Sequence, residues 1–437
     1  MDSVFDHTLR SHPTADAAFR GVIADLLDGA AAVAPVGEGA DKVRDSTRER
    51  LGYRFILEDM RARIVASDLY GLDLRAAVAR FVWMASGNNR LADIAFYVPK
   101  AKDFTDDDIV MPGSSYGHRM RYPSPGIDQI EGVIGRIRKD PASRRGAVSV
   151  FHPNDAVRDS RDIPCLFGLI FHPRDGVLHA SVMMRSNNAA TLLPFNLFEL
   201  SLLSEVVAVE AGLVPGQLSY TAGSMHLFDR DRDRLLAKLP GAGPCRSQPM
   251  GAMPSEPSPL EQIKALALFE AELRHGSGGI DAHNVGEWID RAKSALHPYW
   301  QQLAYMLLAS VVERVSERAA LDRIKDMLLP EWSGLMTWRT AKPRADVAAS
   351  AGDLFSMPGA AAEAAANVVP ITRTRLATRF NEIAVEREGR TGQRLSAATL
   401  LGLQTRFFDR LAARGAEDVV TPEEFEGALE ELRRGEA

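Results

Sequence analysis

The sequence predicts an α+β fold, a mixed sheet with packed helices, followed by an all-helical C-terminal region. Hydrophobic spacing, a hairpin and a linker indicate this organisation. Apolar residues keep a helical period up to about residue 139, form short runs or alternate between 147 and 221, and return to a helical period after 260. Strands that are mixed with long helices and joined by a hairpin favour α+β over repeated βαβ units.

The composition bounds the class of protein. At about 150 residues per domain, 437 residues predict two to three domains. The net charge of −6 argues against a cationic surface, so we expect no nucleic-acid partner. No apolar run approaches the ~20 residues that span a bilayer, and the first residues lack signal-peptide blocks. We therefore expect a cytoplasmic protein without a membrane partner. The two cysteines, Cys165 and Cys245, fit no usual zinc spacing, so we expect no metal.

The first third of the chain shows helices around a charged segment. Helical spacing predicts helices within the first 30 residues, over 74–86 and over 127–139. Gly87-Asn88 would end the second of these as a C-cap does. The run 41–50 carries several arginines and is typical of an exposed loop.

The middle of the chain has the spacing of strands. Pro173-Arg174-Asp175-Gly176 has the chemistry of a turn and predicts a hairpin. Gly212 and Pro215 would close an apolar helix before the last strand. The predicted elements are strands at 147–151, 166–171, 177–184 and 217–221 and a helix at 196–210.

A segment rich in Pro, Gly and Ser divides the chain. It predicts a linker at 241–259 between a first domain, 1–240, and a helical domain, 260–437, whose role the sequence does not indicate. Helical spacing in the second domain covers 260–275, 284–296, 298–326, 372–388 and 394–414.

Cys165 stands at the start of a predicted strand and has two interpretations. A single cysteine in an apolar run is more often a small buried hydrophobe than a nucleophile. Arginines flank this strand, however: Arg144 and Arg145 precede it, and Arg185 lies on the next strand of the hairpin. Guanidinium groups bind phosphate through paired hydrogen bonds and lower the pKa of a nearby thiol. The cluster predicts an anion site beside Cys165.

Seven short motifs follow one another between residues 128 and 229. They are Asp128-Gln129-Ile130, Asp140-Pro141-Ala142-Ser143-Arg144-Arg145, Ile163-Pro164-Cys165, Arg185-Ser186, Leu193-Pro194-Phe195-Asn196, Gly212-Leu213-Val214-Pro215-Gly216 and Gly223-Ser224-Met225-His226-Leu227-Phe228. Their order and spacing resemble the thymidylate synthase family. A fainter match that includes Arg48, Phe81-Val82-Trp83 and Tyr116-Gly117 extends the resemblance over about residues 40–240.

The resemblance implies a transferase that modifies carbon 5 of a uridine-type nucleotide monophosphate. Cys165 would add to carbon 6, and the resulting enolate would attack a one-carbon electrophile to transfer a methyl or hydroxymethyl group. Tyr116 would lie near the thiol, and Arg185 beside it would hold the phosphate. The nucleotide-binding residues implied are Arg48 (or the nearby Arg50), Arg144, Arg145, Arg185, Ser186, Asn188, Asn196, His226 and Phe228.

The resemblance also implies partners. Arg144 and Arg145 would reach the phosphate in the partner subunit of a homodimer with shared sites. Asn196 would read the pyrimidine edge, where an amide that donates and accepts favours uracil. Methylenetetrahydrofolate would be the one-carbon donor.

The sequence departs from the family mainly on the side of folate and proton transfer. Arg80 stands where the family has a catalytic Glu, Asn188 where it has an Asp, and Leu192 where it has a Gly. Phe228 lacks the hydroxyl of a sugar-binding Tyr, and Leu166 replaces a His. A helical region also follows where the family's tail closes over folate.

These departures keep two alternatives open. Phe228 is compatible with a ribonucleotide or cytidylate hydroxymethylase, as in nucleoside-antibiotic pathways. The altered folate side is compatible with a non-catalytic protein that binds nucleotide on a synthase fold. Fold alone does not choose among them.

Overall fold

A computed structural model describes residues 8–33, 46–66, 69, 72–124, 126–241, 248–314 and 318–334. Contacts divide the chain into a compact unit, Met1–Ala341, and a second unit, Lys342–Ala437. The second unit lies outside the described residues, and so do the helices predicted at 372–388 and 394–414.

A seven-stranded mixed sheet forms the centre of the first unit. Its order is β1-β3-β7-β6-β5-β4, and β2 pairs with β3. The pairs β1·β3 and β6·β7 are parallel, whereas the other pairs are antiparallel. The strands are β1 Leu9–His12, β2 Ala31–Val33, β3 Thr47–Leu57, β4 Gly146–Ser149, β5 Leu166–Arg174, β6 Val177–Asn188 and β7 Val214–Phe228.

Helices lie between these strands in the chain, and further helices follow the last strand. This combination of a mixed sheet and packed helices confirms the α+β prediction. They are α1 Ala15–Leu27, α2 Leu74–Ala85, α3 Leu91–Tyr97, α4 Tyr116–Arg121, α5 Gln129–Lys139, α6 Leu193–Glu210, α7 Asp229–Lys238, α8 Pro259–His275, α9 Val285–Ala295, α10 Pro298–Arg314, α11 Arg318–Lys325 and α12 Pro330–Ser333. Side chains cap several of them; for example, Asp73 accepts from the amides of Arg75 and Ala76 at the start of α2.

The predicted hairpin is present. β5 and β6 pair antiparallel, and Asp175 and Gly176 between them have φ angles of 51° and 79°. Such positive φ angles suit glycine and are tolerated by aspartate, which explains why this dipeptide marked the turn. The hairpin places Cys165, which immediately precedes β5, beside Arg185 of β6.

The prediction of an exposed loop over 41–50 is wrong for its described end. Residues from Thr47 onward form β3, which pairs with β7. Arg48 forms an ion pair with Asp229, with 3.3 Å between the nitrogen and oxygen atoms. Arg50 donates to the carbonyl oxygens of Asp25 and Asp28 at 3.0 and 2.6 Å. These partners are distant in sequence, so the charges alone resembled a solvated loop.

The helices after residue 259 share the core of the first unit. Helices α8 and α10 pack against α2, and α8 also packs against α6. In the described part of the predicted linker, Met250 and Met253 are buried, and the Met250 amide donates to the Arg61 carbonyl oxygen at 3.0 Å. The compact unit therefore extends beyond the predicted boundary at residue 240. No helix within the described ranges combines the length and apolarity needed to span a membrane.

A buried ion pair holds α6 to these later segments. Arg63 and Glu205 are both buried and form a salt bridge. Arg63 also donates to the Met60 carbonyl oxygen at 2.9 Å. Glu205 accepts from the Met253 amide at 3.3 Å and from the Tyr299 hydroxyl at 3.5 Å. One carboxylate thus joins α6, the segment after β3, the predicted linker and α10.

Replacement of Arg63 by Met is therefore expected to destabilise the fold by about 3–5 kcal/mol, because it leaves the Glu205 charge buried without its partner. Urea unfolding followed by circular dichroism measures the difference. The double variant Arg63→Met, Glu205→Gln should recover part of the loss, because it removes the stranded charge. A single variant within 1 kcal/mol of the wild type would contradict this role.

Candidate active site

The Cys165 thiol lies where the first residues of β5 meet β6. The amide of Arg185 donates to the Cys165 carbonyl oxygen at 2.8 Å. The Arg185 guanidinium donates to the carbonyl oxygens of Pro164 at 2.8 Å and Ile163 at 3.0 Å. The arginine therefore braces the segment that carries the cysteine, and its side chain stays exposed enough to meet an anion.

The electrostatic setting of Cys165 has opposing contributions. Burial raises the pKa of the thiol, as does the nearby Asp162, whereas Arg185 lowers it. Because burial dominates, the thiol form prevails at neutral pH. Cys165 forms no disulfide.

Asp162 connects the cysteine segment to the start of α4. Its carboxylate accepts from the amides of Gly113 at 2.7 Å and Ser114 at 2.6 Å, and from the Ser114 hydroxyl at 2.5 Å. A Cβ at Gly113 would lie 1.8 Å from the Asp162 carbonyl oxygen, so only glycine permits this approach. The contact fixes the segment that leads to Tyr116.

Tyr116 begins α4 close to the cysteine. Burial raises the pKa of its phenol, Cys165 adds to the rise, and Arg80 opposes it. Gly117, the next residue, lies against α2: a Cβ there would be 1.6 Å from the Met84 carbonyl oxygen. The close helix crossing sets Tyr116 near Arg80 of α2.

Arg80 forms an ion pair with Glu199 of α6, a partner that sequence reasoning missed. The guanidinium Nε donates to Glu199 Oε1, and Nη2 donates to Oε2 at 3.3 Å. The Arg80 guanidinium carbon lies 5.1 Å from the centre of the Phe195 ring. The Glu199 side chain is 3% exposed. Burial raises the pKa of this carboxyl group, and Arg80 opposes the rise.

Asn196 belongs to a second buried network that the sequence did not reveal. Its amide nitrogen donates to Asn187 Oδ1 at 2.5 Å, and the Tyr220 hydroxyl donates to the same oxygen at 3.1 Å. The Asn187 nitrogen donates to the Asn188 carbonyl oxygen at 3.2 Å, which fixes its own amide orientation. Asn187 thereby orients the amide of Asn196. Burial raises the pKa of Tyr220 well above its ordinary value, so its hydroxyl stays protonated.

His226 and Ser186 face each other across β6 and β7. Ser186 Oγ lies 3.3 Å from His226 Nδ1. Burial lowers the pKa of His226, and Glu49 opposes that change. The ring of Phe228 packs edge-on against His226 with 5.5 Å between centroids. Arg48 of β3 pairs with Leu227 of β7, the residue that follows His226.

The remaining residues suggested by the sequence have other positions. Arg144 and Arg145 are exposed in the turn before β4, the edge strand, and β5 separates them from β6. Asn188 is buried, and its Oδ1 accepts from the amides of Ala190 at 3.0 Å and Thr191 at 3.2 Å. Asn188 therefore supports the turn that begins α6.

The side of the site assigned to folate does not fit the expected contacts. The Asn188 oxygen is taken up by backbone amides, and the Arg80 guanidinium lies over Phe195. Leu192 adds a bulky side chain at the start of α6. The thiol, Arg185, Ser186, His226 and Asn196 remain as the polar set for which the sequence predicts nucleotide contacts.

Comparison with known proteins agrees with this arrangement. Residues 47–249 match the family model described as thymidylate synthase. This part of the chain is therefore similar to thymidylate synthases. A protein of Methanosarcina acetivorans named "Putative thymidylate synthase" is 37% identical over 120 residues, which are 27% of this chain and 54% of the relative. The match therefore spans about half the length of that relative.

The thymidylate synthase match ends in the segment before α8, and the later helices lie beyond it. The match includes every candidate residue from Arg48 to Phe228. Tyr220 and Asn187 also lie within it, but neither belongs to the seven motifs between residues 128 and 229. Only their packing against Asn196 identifies them.

The alkylation rate of Cys165 should rise with pH and reach half its maximum above pH ~8.5, the pKa of a free cysteine, because burial disfavours the thiolate. Iodoacetamide labelling of a Cys245→Ser variant, followed by mass spectrometry, measures it. Arg185→Gln should move the midpoint to still higher pH, since a nearby positive charge is lost. A midpoint below pH 7 would overturn this assignment.

Proposed function

We propose that the chain transfers a one-carbon group to carbon 5 of a uridine-type nucleotide monophosphate through a covalent adduct on Cys165. The match of residues 47–249 to the thymidylate synthase family model supports a transferase acting on a pyrimidine nucleotide. The observation that carries the proposal is the meeting of a thiol, an arginine and an oriented amide at the junction of β5, β6 and α6.

Each group has a distinct task. The Cys165 thiolate adds to carbon 6, and the electron pair of the 5,6 double bond moves toward the C4 carbonyl. Carbon 5 then attacks a one-carbon electrophile, loses its proton, and the C6–S bond breaks to return the thiolate. Arg185 and Ser186 bind the phosphate. Bound phosphate also weakens the effect of the Arg185 charge on the Cys165 thiol. Thiolate formation therefore depends on how close the guanidinium stays to the sulfur.

The base is proposed to be uracil because of Asn196. One N–H of the Asn196 amide donates to Asn187 Oδ1. The other N–H and the oxygen of Asn196 can then pair with O4 and N3–H of the uracil ring. A cytosine ring presents the opposite pattern. To match cytosine, the Asn196 amide would have to turn over. Its oxygen would then lie against Asn187 Oδ1 at the 2.5 Å contact, with two acceptors facing each other.

The sugar is the one feature that favours a second candidate function. Phe228 has no hydroxyl, and Arg230 covers its ring with 4.6 Å between the guanidinium carbon and the centroid. A ribonucleotide or cytidylate hydroxymethylase is the alternative to a deoxyuridylate enzyme. The same assay on both sugars and both bases distinguishes them.

Release of tritium from nucleotide labelled at carbon 5 tests the reaction. We expect release from uridine-type monophosphates, faster than from cytidine-type ones, with loss of at least 100-fold in Cys165→Ser. Parallel assays with and without methylenetetrahydrofolate identify whether that donor takes part. Nucleotide binding without release would instead support the non-catalytic alternative, and full release from Cys165→Ser would disprove the covalent mechanism.

We also propose a homodimer in which Arg144 and Arg145 complete the partner's site. Phe167 and Met183 are 52% and 44% exposed on the paired strands β5 and β6, and Met183 alternates with the buried Val182 and Met184, which puts it on the open face of the sheet. Apolar side chains on an open sheet face are typical of an interface. The exposed position of both arginines is compatible with reaching a second subunit.

Mixing two inactive variants tests the shared site. Cys165→Ser supplies intact arginines, and Arg144→Ala, Arg145→Ala supplies an intact thiol. Random reassociation should restore about a quarter of the wild-type tritium release, because half of the dimers are hybrids with one complete site. Activity no greater than the sum of the separate variants, or sedimentation as a monomer, would contradict the proposal.

A further inference from the structure

The proposed reaction needs a base that no assigned residue supplies. Carbon 5 must lose a proton before the C6–S bond can break. Tyr116 lies near Cys165, but burial raises the pKa of its phenol and keeps it protonated. Tyr220 is in the same state for the same reason. Both phenols are therefore poor bases at neutral pH.

Glu199 is the carboxylate that acts on both of these phenols. It raises the pKa of Tyr116 and, with Tyr116 and Cys165, that of Tyr220. Glu199 also lies three residues after Asn196 on α6, so the two side chains share a helix face. Asn196 is proposed to hold the C4 carbonyl, and carbon 5 is the ring atom next to it.

Arg80 fixes this carboxylate in position. It donates to both carboxylate oxygens from one side, and its guanidinium also lies over Phe195, one turn earlier on α6. A carboxylate has about four acceptor positions, of which Arg80 occupies two. The ion pair favours the ionised form of Glu199 against the burial that raises its pKa, and it leaves the carboxylate the capacity to accept a proton.

We propose that Glu199 is the base that removes the C5 proton, with Arg80 as its positioning residue. This inference rests on the proposed function. The carboxylate takes the proton, the C5–H electron pair forms the 5,6 double bond, and the C6–S bond breaks to give the Cys165 thiolate. Glu199 then loses the proton to water, which is the step that releases tritium from carbon 5.

Three groups that interact with Glu199 govern the pH dependence. They are Arg80 from α2, Tyr116 from α4 and Tyr220 from β7, and Cys165 in turn acts on both phenols. Arg80 lowers the pKa of Glu199, so its loss must raise that pKa. Since the ionised form is the active one, the rate should rise with pH through the pKa of Glu199.

Tritium release by Glu199→Gln tests the proposal. We expect release to fall at least 100-fold while nucleotide affinity, measured by calorimetry, changes less than threefold. The increase in release rate with pH that reflects ionisation of Glu199 should be absent from the pH profile of this variant. In Arg80→Gln it should move to higher pH, a shift that a purely structural role would not produce.

Glu205→Gln is the matched control. Glu205 is a buried glutamate on the same helix, also paired with an arginine, and its partners Arg63, Met253 and Tyr299 are not among the residues of the proposed site. Its release per folded molecule should equal that of the wild type. Wild-type release together with normal release by Glu199→Gln would overturn only the role of Glu199. No release by the wild-type protein would overturn the proposed function and this inference together.

Discussion

The burial of α6 on all sides is the constraint on which the rest of the structure depends. From Leu193 to Ala208 nearly every residue of this helix is buried, including its polar ones. A buried carboxylate costs several kcal/mol unless it is paired and hydrogen-bonded. Each glutamate of α6 therefore requires a partner from another element, and those partners determine what packs around the helix.

The three glutamates recruit three different parts of the chain. Glu199 pairs with Arg80 of α2, and Glu205 pairs with Arg63 and accepts from the Met253 amide. Glu210 accepts from the Ser258 hydroxyl and from the Leu260 amide at 2.9 Å. Glu205 and Glu210 thereby hold the segment before α8, and the first turn of α8, against the part of the chain that forms the sheet. This is why the helices beyond the thymidylate synthase match share one core with it.

The sequence predicted the elements whose signals are local. Hydrophobic spacing found α2, α5 and α6, and turn chemistry found the hairpin that sets Cys165 beside Arg185. It missed β3, because Arg48 and Arg50 find their partners on distant elements rather than in solvent. The roles of Asn187 and Glu199 are also invisible locally, since only packing brings them to Asn196 and Arg80.

The replacement of an acid by Arg80 illustrates the same limit in chemical terms. By itself the substitution removes a proton acceptor from α2, and the sequence does not indicate which other acid could replace it. The folded chain places a carboxylate from α6 against that arginine, so an acid stands beside Arg80 on a different helix. Buried ion pairs rarely add net stability over an apolar pair, because desolvation offsets their attraction. The Arg80–Glu199 pair carries that cost next to two phenols, which favours a chemical role for it over a stabilising one.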